Sequence, residues 1–216
     1  MKRSKTFKIG LIVSIIPFIL GGIFYKSLPD QIATHFDINN NPDAYSSKNF
    51  ALFGLPAIMF LVYLSAYFFT NADPKKSNQG DKALNIVLIA LPLINIVISA
   101  ATIAFGLGKK IDISTITTSL VAILMIFIGN YLPKVKRNYT IGIKLPWTMN
   151  SDYVWEKTHV LAGKVYMLGG FLILISSILF NNFYFFIGVF VLMTFIPMIY
   201  SYKIYSDLSK DGEDEN

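Results

Sequence analysis

Five stretches of the chain carry no Asp, Glu, Lys or Arg, at residues 9–25, 49–72, 83–108, 113–133 and 165–202. All 19 basic and 13 acidic residues lie outside them. A helix of about 20 residues crosses a hydrocarbon core about 30 Å thick. The first four runs, of 17, 24, 26 and 21 residues, therefore predict one span each, and the last, of 38, predicts two with Asn181-Asn182 as the turn. Period-two alternation is absent, which disfavours a β-barrel, and irregular backbone in lipid would leave polar groups unpaired. The pattern predicts an all-α polytopic integral membrane protein with six transmembrane helices.

The charges between the runs predict orientation. The N-terminus, the second and fourth loops and the C-terminal tail hold 15 Lys and Arg, and the other three loops hold 4. Basic residues near helix ends stay in the cytoplasm, so the topology is N-in and C-in. The cluster Lys2, Arg3, Lys5 and Lys8 also resembles a signal-peptide n-region. The apolar stretch behind it is too long, and no small-residue cleavage site follows, so it reads as an uncleaved anchor. This divides the chain into a first helix pair (1–70) with an outer loop at 26–48, a central pair (71–133), an inner loop (134–164), a last pair (165–202) and an acidic tail (203–216). From Asp207 onward the tail carries five acids and is expected to be disordered.

Composition agrees with lipid as solvent: 54% of residues are hydrophobic, 15% are charged, and mean hydropathy is +0.53. The formal charge of +6 belongs to residues that flank spans, where anionic headgroups attract them, so the expected partner is membrane lipid with no direct nucleic-acid binding. With no cysteine and two histidines, a closed zinc site is not expected, and no cofactor is assigned.

No span holds an ionisable residue, and proton relays or metal-dependent intramembrane proteases would need one. Asn95, Ser99 and Thr102 share a face of the third helix, as interhelical hydrogen-bonding groups or as a polar patch in a ligand cavity. Pro17, Pro56, Pro92 and Pro197 fall inside predicted helices, where each removes a donor. Aromatic clusters at Tyr67 to Phe69, Phe183 to Phe186 and Tyr200 to Tyr205 mark interfacial helix ends.

In the outer loop, Ser27 is placed to cap a short helix beginning near Pro29. Leu28, Ile32 and Phe36, spaced by four, would then lie on the membrane. A turn cluster, Asn39-Asn40-Asn41-Pro42-Asp43, follows. His35 and Asp37 are a candidate metal pair, but two ligands do not make a site. The inner loop holds both tryptophans. Asn150 or Ser151 is placed to cap a helix with Asp152 in its first turn and Trp155 and His159 on one face, after a turn at Gly142, Lys144, Pro146 and Trp147. That helix reads as an interfacial amphipathic segment or as a docking surface, since interfaces enrich tryptophan. Ser151, Asp152 and His159 lack the spacing of a nucleophile turn, so no catalytic residue is assigned and the protein is not expected to be an enzyme.

Gly129-Asn130, Asn138-Tyr139, Gly142-Ile143-Lys144, Pro146-Trp147-Thr148, Val154-Trp155, Thr158-His159 and Gly163 together resemble the signature of the SdpI-type family, bacterial immunity proteins against the sporulation-delaying toxin. Leu28-Pro29, Ile32, His35-Phe36, Pro42-Asp43 and Ser47-Lys48 resemble the domain that commonly precedes it. Departures stand at Lys144, Leu145, Arg137 and Asn40, where the family usually has Arg, Thr, Pro and Gly. Lysine keeps the charge of Arg but loses its bidentate fork.

The resemblance implies a multi-pass protein of the bacterial cell membrane that protects against a secreted membrane-active peptide toxin. In one branch of the family such a protein also holds a cytoplasmic winged-helix repressor at the membrane. The residues expected to meet toxin are Pro29, His35, Phe36, Pro42, Asp43 and Tyr45. Those expected to signal are Asn138, Gly142, Lys144, Pro146, Trp147, Thr148, Trp155, Thr158 and His159. The alternative is a small permease or exporter of a hydrophobic peptide, which would need an energy source that no residue suggests.

Overall fold

A computed structural model describes residues 3–213 of the chain. Lys2 of the basic cluster and the last three residues of the acidic tail lie outside the described residues. Among the described residues, six helical segments are long and apolar enough to cross a bilayer: Arg3–Ser27, Phe50–Ala72, Leu84–Gly106, Ile113–Lys134, Asp152–Leu179 and Phe183–Lys210. They fall on the six predicted spans, and the protein is a multi-pass helical membrane protein. Where six apolar rods meet lipid, large side chains stay uncovered, such as Ile12 at 68% and Phe180 at 74% exposure.

The prolines act differently from one another. Pro17 splits the first span into α1 (Arg3–Val13) and α2 (Ile16–Phe24), since its ring has no N–H and crowds the carbonyl four residues back. A turn of wide, π-type winding (Phe50–Gly54) leads into α3 (Leu55–Ala72), with Pro56 in the first turn of that helix. Pro92 and Pro197 stay inside α4 (Asp81–Gly106) and α8 (Phe183–Glu213).

The chain forms two compact units, Met1–Phe68 with Asn85–Leu120, and Phe69–Leu84 with Val121–Asn216. In the first, the outer loop is not helical. It is an antiparallel hairpin of β1 (Gln31–Phe36) and β2 (Pro42–Ser47). The spacing of four that suggested a helix is also a multiple of two, so Ile32 and Phe36 share a face in a strand as well. The turn decides between them. Asp37 Oδ1 accepts from the backbone N–H of Asn39 and Asn41 at 2.9 and 2.7 Å, and Asn40 adopts φ +62°, which asparagine tolerates. Leu28 and Ile32 are buried with Ala51, Leu52 and Ile103 rather than laid on lipid. A side chain at Gly106 would collide with Leu28.

The Asn40 amide ties the hairpin to the start of α5 (Ile113–Tyr131). It donates to Ile111 O at 3.1 Å and accepts from Ser114 N at 3.2 Å, while Asp112 Oδ1 accepts from Thr115 N. Asn95 donates to Pro56 O at 3.3 Å, which makes it interhelical glue. Tyr63 is buried and donates to Phe7 O at 2.7 Å, over Gly10, where a Cβ would strike its hydroxyl.

In the second unit, α7 (Asp152–Leu179) is one helix of 28 residues. The predicted inner-loop helix and the fifth span are therefore continuous, since exposed Lys157 and Lys164 end the apolar run without ending the helix. Likewise α8 runs to Glu213, so the tail from Asp207 to Glu213 is helical rather than disordered. A span already nucleated in lipid extends into water one residue at a time at little cost. Ala122, Ile173 and Met193 form the core of α5, α7 and α8. Gly129 and Gly163 let α5 and α7 meet at backbone distance: a Cβ on Gly129 would lie 2.8 Å from Gly163 O, and one on Gly163 would lie 2.8 Å from Gly129 O.

Candidate functional site: a hairpin and a cross-braced loop

Two polar elements carry the candidate residues, one in each unit. On the hairpin, His35 Nδ1 lies 2.6 Å from Asp43 Oδ1, so His35 partners Asp43 across the strands, and Asp37 belongs to the turn. Tyr45, opposite Ala33, is 57% exposed. Phe36 turns the other way and meets Phe105 edge-on at 4.8 Å between ring centroids. Pro42 opens β2, and Pro29 lies in the strand approach beside Asp30, which pairs with Lys48 at 3.1 Å. Of the predicted outer residues, His35, Asp43 and Tyr45 thus form one exposed group.

The inner loop is held from within. Asn138 is fully buried, and its amide accepts from Thr140 N and Ile141 N and donates to Lys136 O and Ile141 O, at 2.7 to 3.0 Å. Thr148, also fully buried, accepts from Leu145 N and donates to the Ile143 and Leu145 carbonyls, so it caps the short helix α6 (Pro146–Asn150). Ser151 caps α7 by accepting from Val154 N at 3.3 Å, as its spacing predicted. Trp155 and His159 share a helix face and stack at 4.0 Å, but that face turns inward, and both are almost fully buried.

The rings of that pair serve the backbone. Trp155 Nε1 donates to Val135 O, and His159 Nε2 accepts from Ile143 N at 2.9 Å. Nδ1 lies 2.7 Å from Trp155 O, so it carries the proton and the ring is the neutral Nδ1–H tautomer. Gly142, at φ +129°, lies against both rings, where a Cβ would be 2.5 Å from His159 Nε2. Thr158 is buried and bonds Val154 O within α7. Of the predicted signalling residues, Lys144 and Pro146 are the ones left exposed. Trp147 reaches Ser201 Oγ at 2.8 Å and lies edge-on to Tyr202.

Asp73, just past α3, had no signal in the sequence beyond being the acid that ends an apolar run. It is 5% exposed and accepts four hydrogen bonds, from Lys75 N, Gln79 Nε2, Tyr139 N and Thr140 Oγ1, at 2.7 to 3.0 Å. Burial pushes its carboxyl up, but the bonds from Thr140, Lys75, Gln79 and Tyr139 together outweigh this and hold it below the usual carboxylate range. Asn78 adds two strands of the same brace, donating to Arg137 O and accepting from Lys136 N. A cleft of about 550 Å³ beside it is lined by Lys134, Lys136, Arg137, Asp152, Trp155 and Glu156 among others.

Both elements fall within known family models. The model of the SdpI/YfhL protein family matches residues 134–201, and that of a domain of unknown function, DUF1648, matches residues 12–60. Over 206 residues the chain is 30% identical to Immunity protein SdpI of Bacillus subtilis (strain 168), covering 93% of this chain and 92% of that protein. The chain belongs to the SdpI family. No solved structure matches it.

Membership of the SdpI family gives the signature residues a physical reading. Asn138, Thr148, Trp155, Thr158 and His159 build the interior of the inner loop, Gly142 leaves room for its two rings, and Gly163 leaves room for Gly129 and Pro133 at the end of α5. Two departures from the SdpI pattern have local roles. Lys144 donates to the Tyr139 and Thr140 carbonyls, a task a point charge performs as well as a fork. Arg137 Nε lies 2.7 Å from Asp152 Oδ1, joining the loop to the first turn of α7.

Proposed function

We propose that this SdpI-family protein is a membrane immunity protein that protects its producer from a secreted, membrane-active peptide toxin by binding it, without catalysis. The observation that carries this reading is the similarity to an immunity protein along nearly the whole of both chains. The split of 15 to 4 basic residues supports N-in and C-in topology, which puts the hairpin outside and the braced loop inside. Toxin engages the hairpin through the exposed group His35, Asp43 and Tyr45, with Pro29, Phe36 and Pro42 shaping it. The surface of the inner loop around Lys144, Pro146 and Trp147 receives a cytoplasmic winged-helix repressor, on a scaffold set by Asn138, Gly142, Thr148, Trp155, Thr158 and His159.

For toxin outside to alter the inner loop, it must bind one arrangement of the protein better than another, since equal affinity shifts nothing. The protein is expressed in a toxin-sensitive bacterium and the cells are challenged with the sporulation-delaying toxin peptide. Survival at concentrations that kill the parent strain is the expected result. Unchanged killing at verified membrane levels refutes the immunity reading. A tagged repressor that stays cytoplasmic in toxin-treated, protected cells refutes only the signalling half.

A further inference from the structure

The two strands of the hairpin are unequal. In β1, Ile32 and Ala33 are 1% and 4% exposed, whereas in β2 Asp43, Ala44, Tyr45 and Ser47 are all exposed. Lys48 N donates to Asp30 O at 2.8 Å, so those two residues form a hydrogen-bonded pair of the ladder. Antiparallel pairs alternate, and the register Gln31 with Ser47, Ile32 with Ser46, Ala33 with Tyr45 then makes Ile32–Ser46 the next bonded pair. The N–H and C=O of Tyr45 and Ser47 therefore point away from β1. No hydrogen bond from the described residues reaches the Tyr45 backbone on that side. This is an open edge of a two-stranded sheet, a form that on its own is marginal in water.

We propose that this edge is where the peptide ligand binds, as a third strand added to β2 with its backbone paired to Tyr45 and Ser47. The proposal rests on the peptide-recognition reading above and supplies its mode. Outward groups two residues apart repeat at about 7 Å, the spacing any extended strand presents, so recognition is led by backbone and refined by side chains. From Gln31 to Ser47 the hairpin carries Asp37 and Asp43 and no Lys or Arg. A second copy of the hairpin would bring like charge to this edge, and a strand with a basic side chain near Asp43 complements it. Tyr45 offers an exposed ring for an apolar neighbour on the same strand.

The full-length protein in lipid nanodiscs is titrated with the sporulation-delaying toxin peptide, and amide hydrogen exchange is followed across residues 42–48. Gained protection at Tyr45 and Ser47 is the expected result. Tyr45→Pro removes the ring and the outward donor and leaves the ladder bonds of β2, which edge strands tolerate. It is expected to weaken binding about tenfold, while Tyr45→Ala, which keeps the donor, weakens it less. Toxin that binds wild-type protein with no change in exchange at 42–48 overturns the strand-addition mode and leaves the immunity reading standing. Equal binding by Tyr45→Pro does the same. Absence of binding to the wild-type protein overturns both.

Discussion

Asp73→Ala opens the brace that holds the inner loop, and the size of the effect follows from the four bonds it removes. At roughly 1.5–3 kcal/mol each for charge-assisted bonds, the gross loss is large, but water repays part of it. Tyr139 is 55% exposed and Lys75 is half-buried, so solvent replaces the carboxylate at their amides. Gln79 is fully buried, so no solvent replaces the carboxylate at its amide, and Thr140 is half-buried, so water repays its hydroxyl in part. One full and one partial loss leave a net cost of about 3 kcal/mol. If residues 136–144 exchange through local opening, that cost raises their amide exchange roughly a hundredfold, since 1.4 kcal/mol is a factor of ten.

Hydrogen exchange of wild-type and variant protein in nanodiscs measures this directly. Asp73→Asn separates charge from shape, because its amide oxygen can keep the three donors that meet at Oδ2 while its nitrogen faces only Lys75 N, and it is expected to lose less than Asp73→Ala. A change below about threefold in residues 138–142 of Asp73→Ala would refute the claim that this carboxylate closes the loop. Acidity supplies a second check with a definite sign. The folded carboxyl lies below its unfolded value of about 3.9, so its contribution is fully present above that value and is lost as pH falls through the folded one. Loop exchange, corrected for its intrinsic pH dependence, is therefore flat from neutral pH to about 5 and rises only below about 4.

Gly142→Ala places a Cβ against His159 and Trp155 at a backbone angle that side chains avoid, and should cost about 2–4 kcal/mol, read as a lower thermal midpoint in detergent. A native-like midpoint would show that the loop relaxes around the methyl group. Because the chain has no cysteine, single introduced thiols report sidedness. Asn39→Cys should react with an impermeant maleimide in intact cells, and Lys144→Cys only after permeabilisation, and the reverse pattern would invert the proposed topology.

The positions of the six spans were legible in the sequence. Lipid admits almost no charge and no unpaired backbone, so the charge-free runs at 9–25, 49–72, 83–108, 113–133 and 165–202 left few alternatives. The Ser151 cap and the shared face of Trp155 and His159 were legible too, being local in sequence. What the local pattern left open needed neighbours to decide. A spacing of four is satisfied by helix and strand alike, and the hairpin was chosen by the Asp37 turn and by the burial of Ile32 against Leu52 and Ile103. Charges end an apolar run but not a helix, so α7 and α8 extend beyond the charge-free stretch at 165–202. Whether the Trp155 face turns outward to a partner or inward to the loop depends on Val135 and Ile143, which lie 20 and 16 residues from the atoms they bond. Asp73 was invisible for the same reason: Tyr139 and Thr140 are 66 and 67 residues away, and only the folded chain brings their donors to one carboxylate.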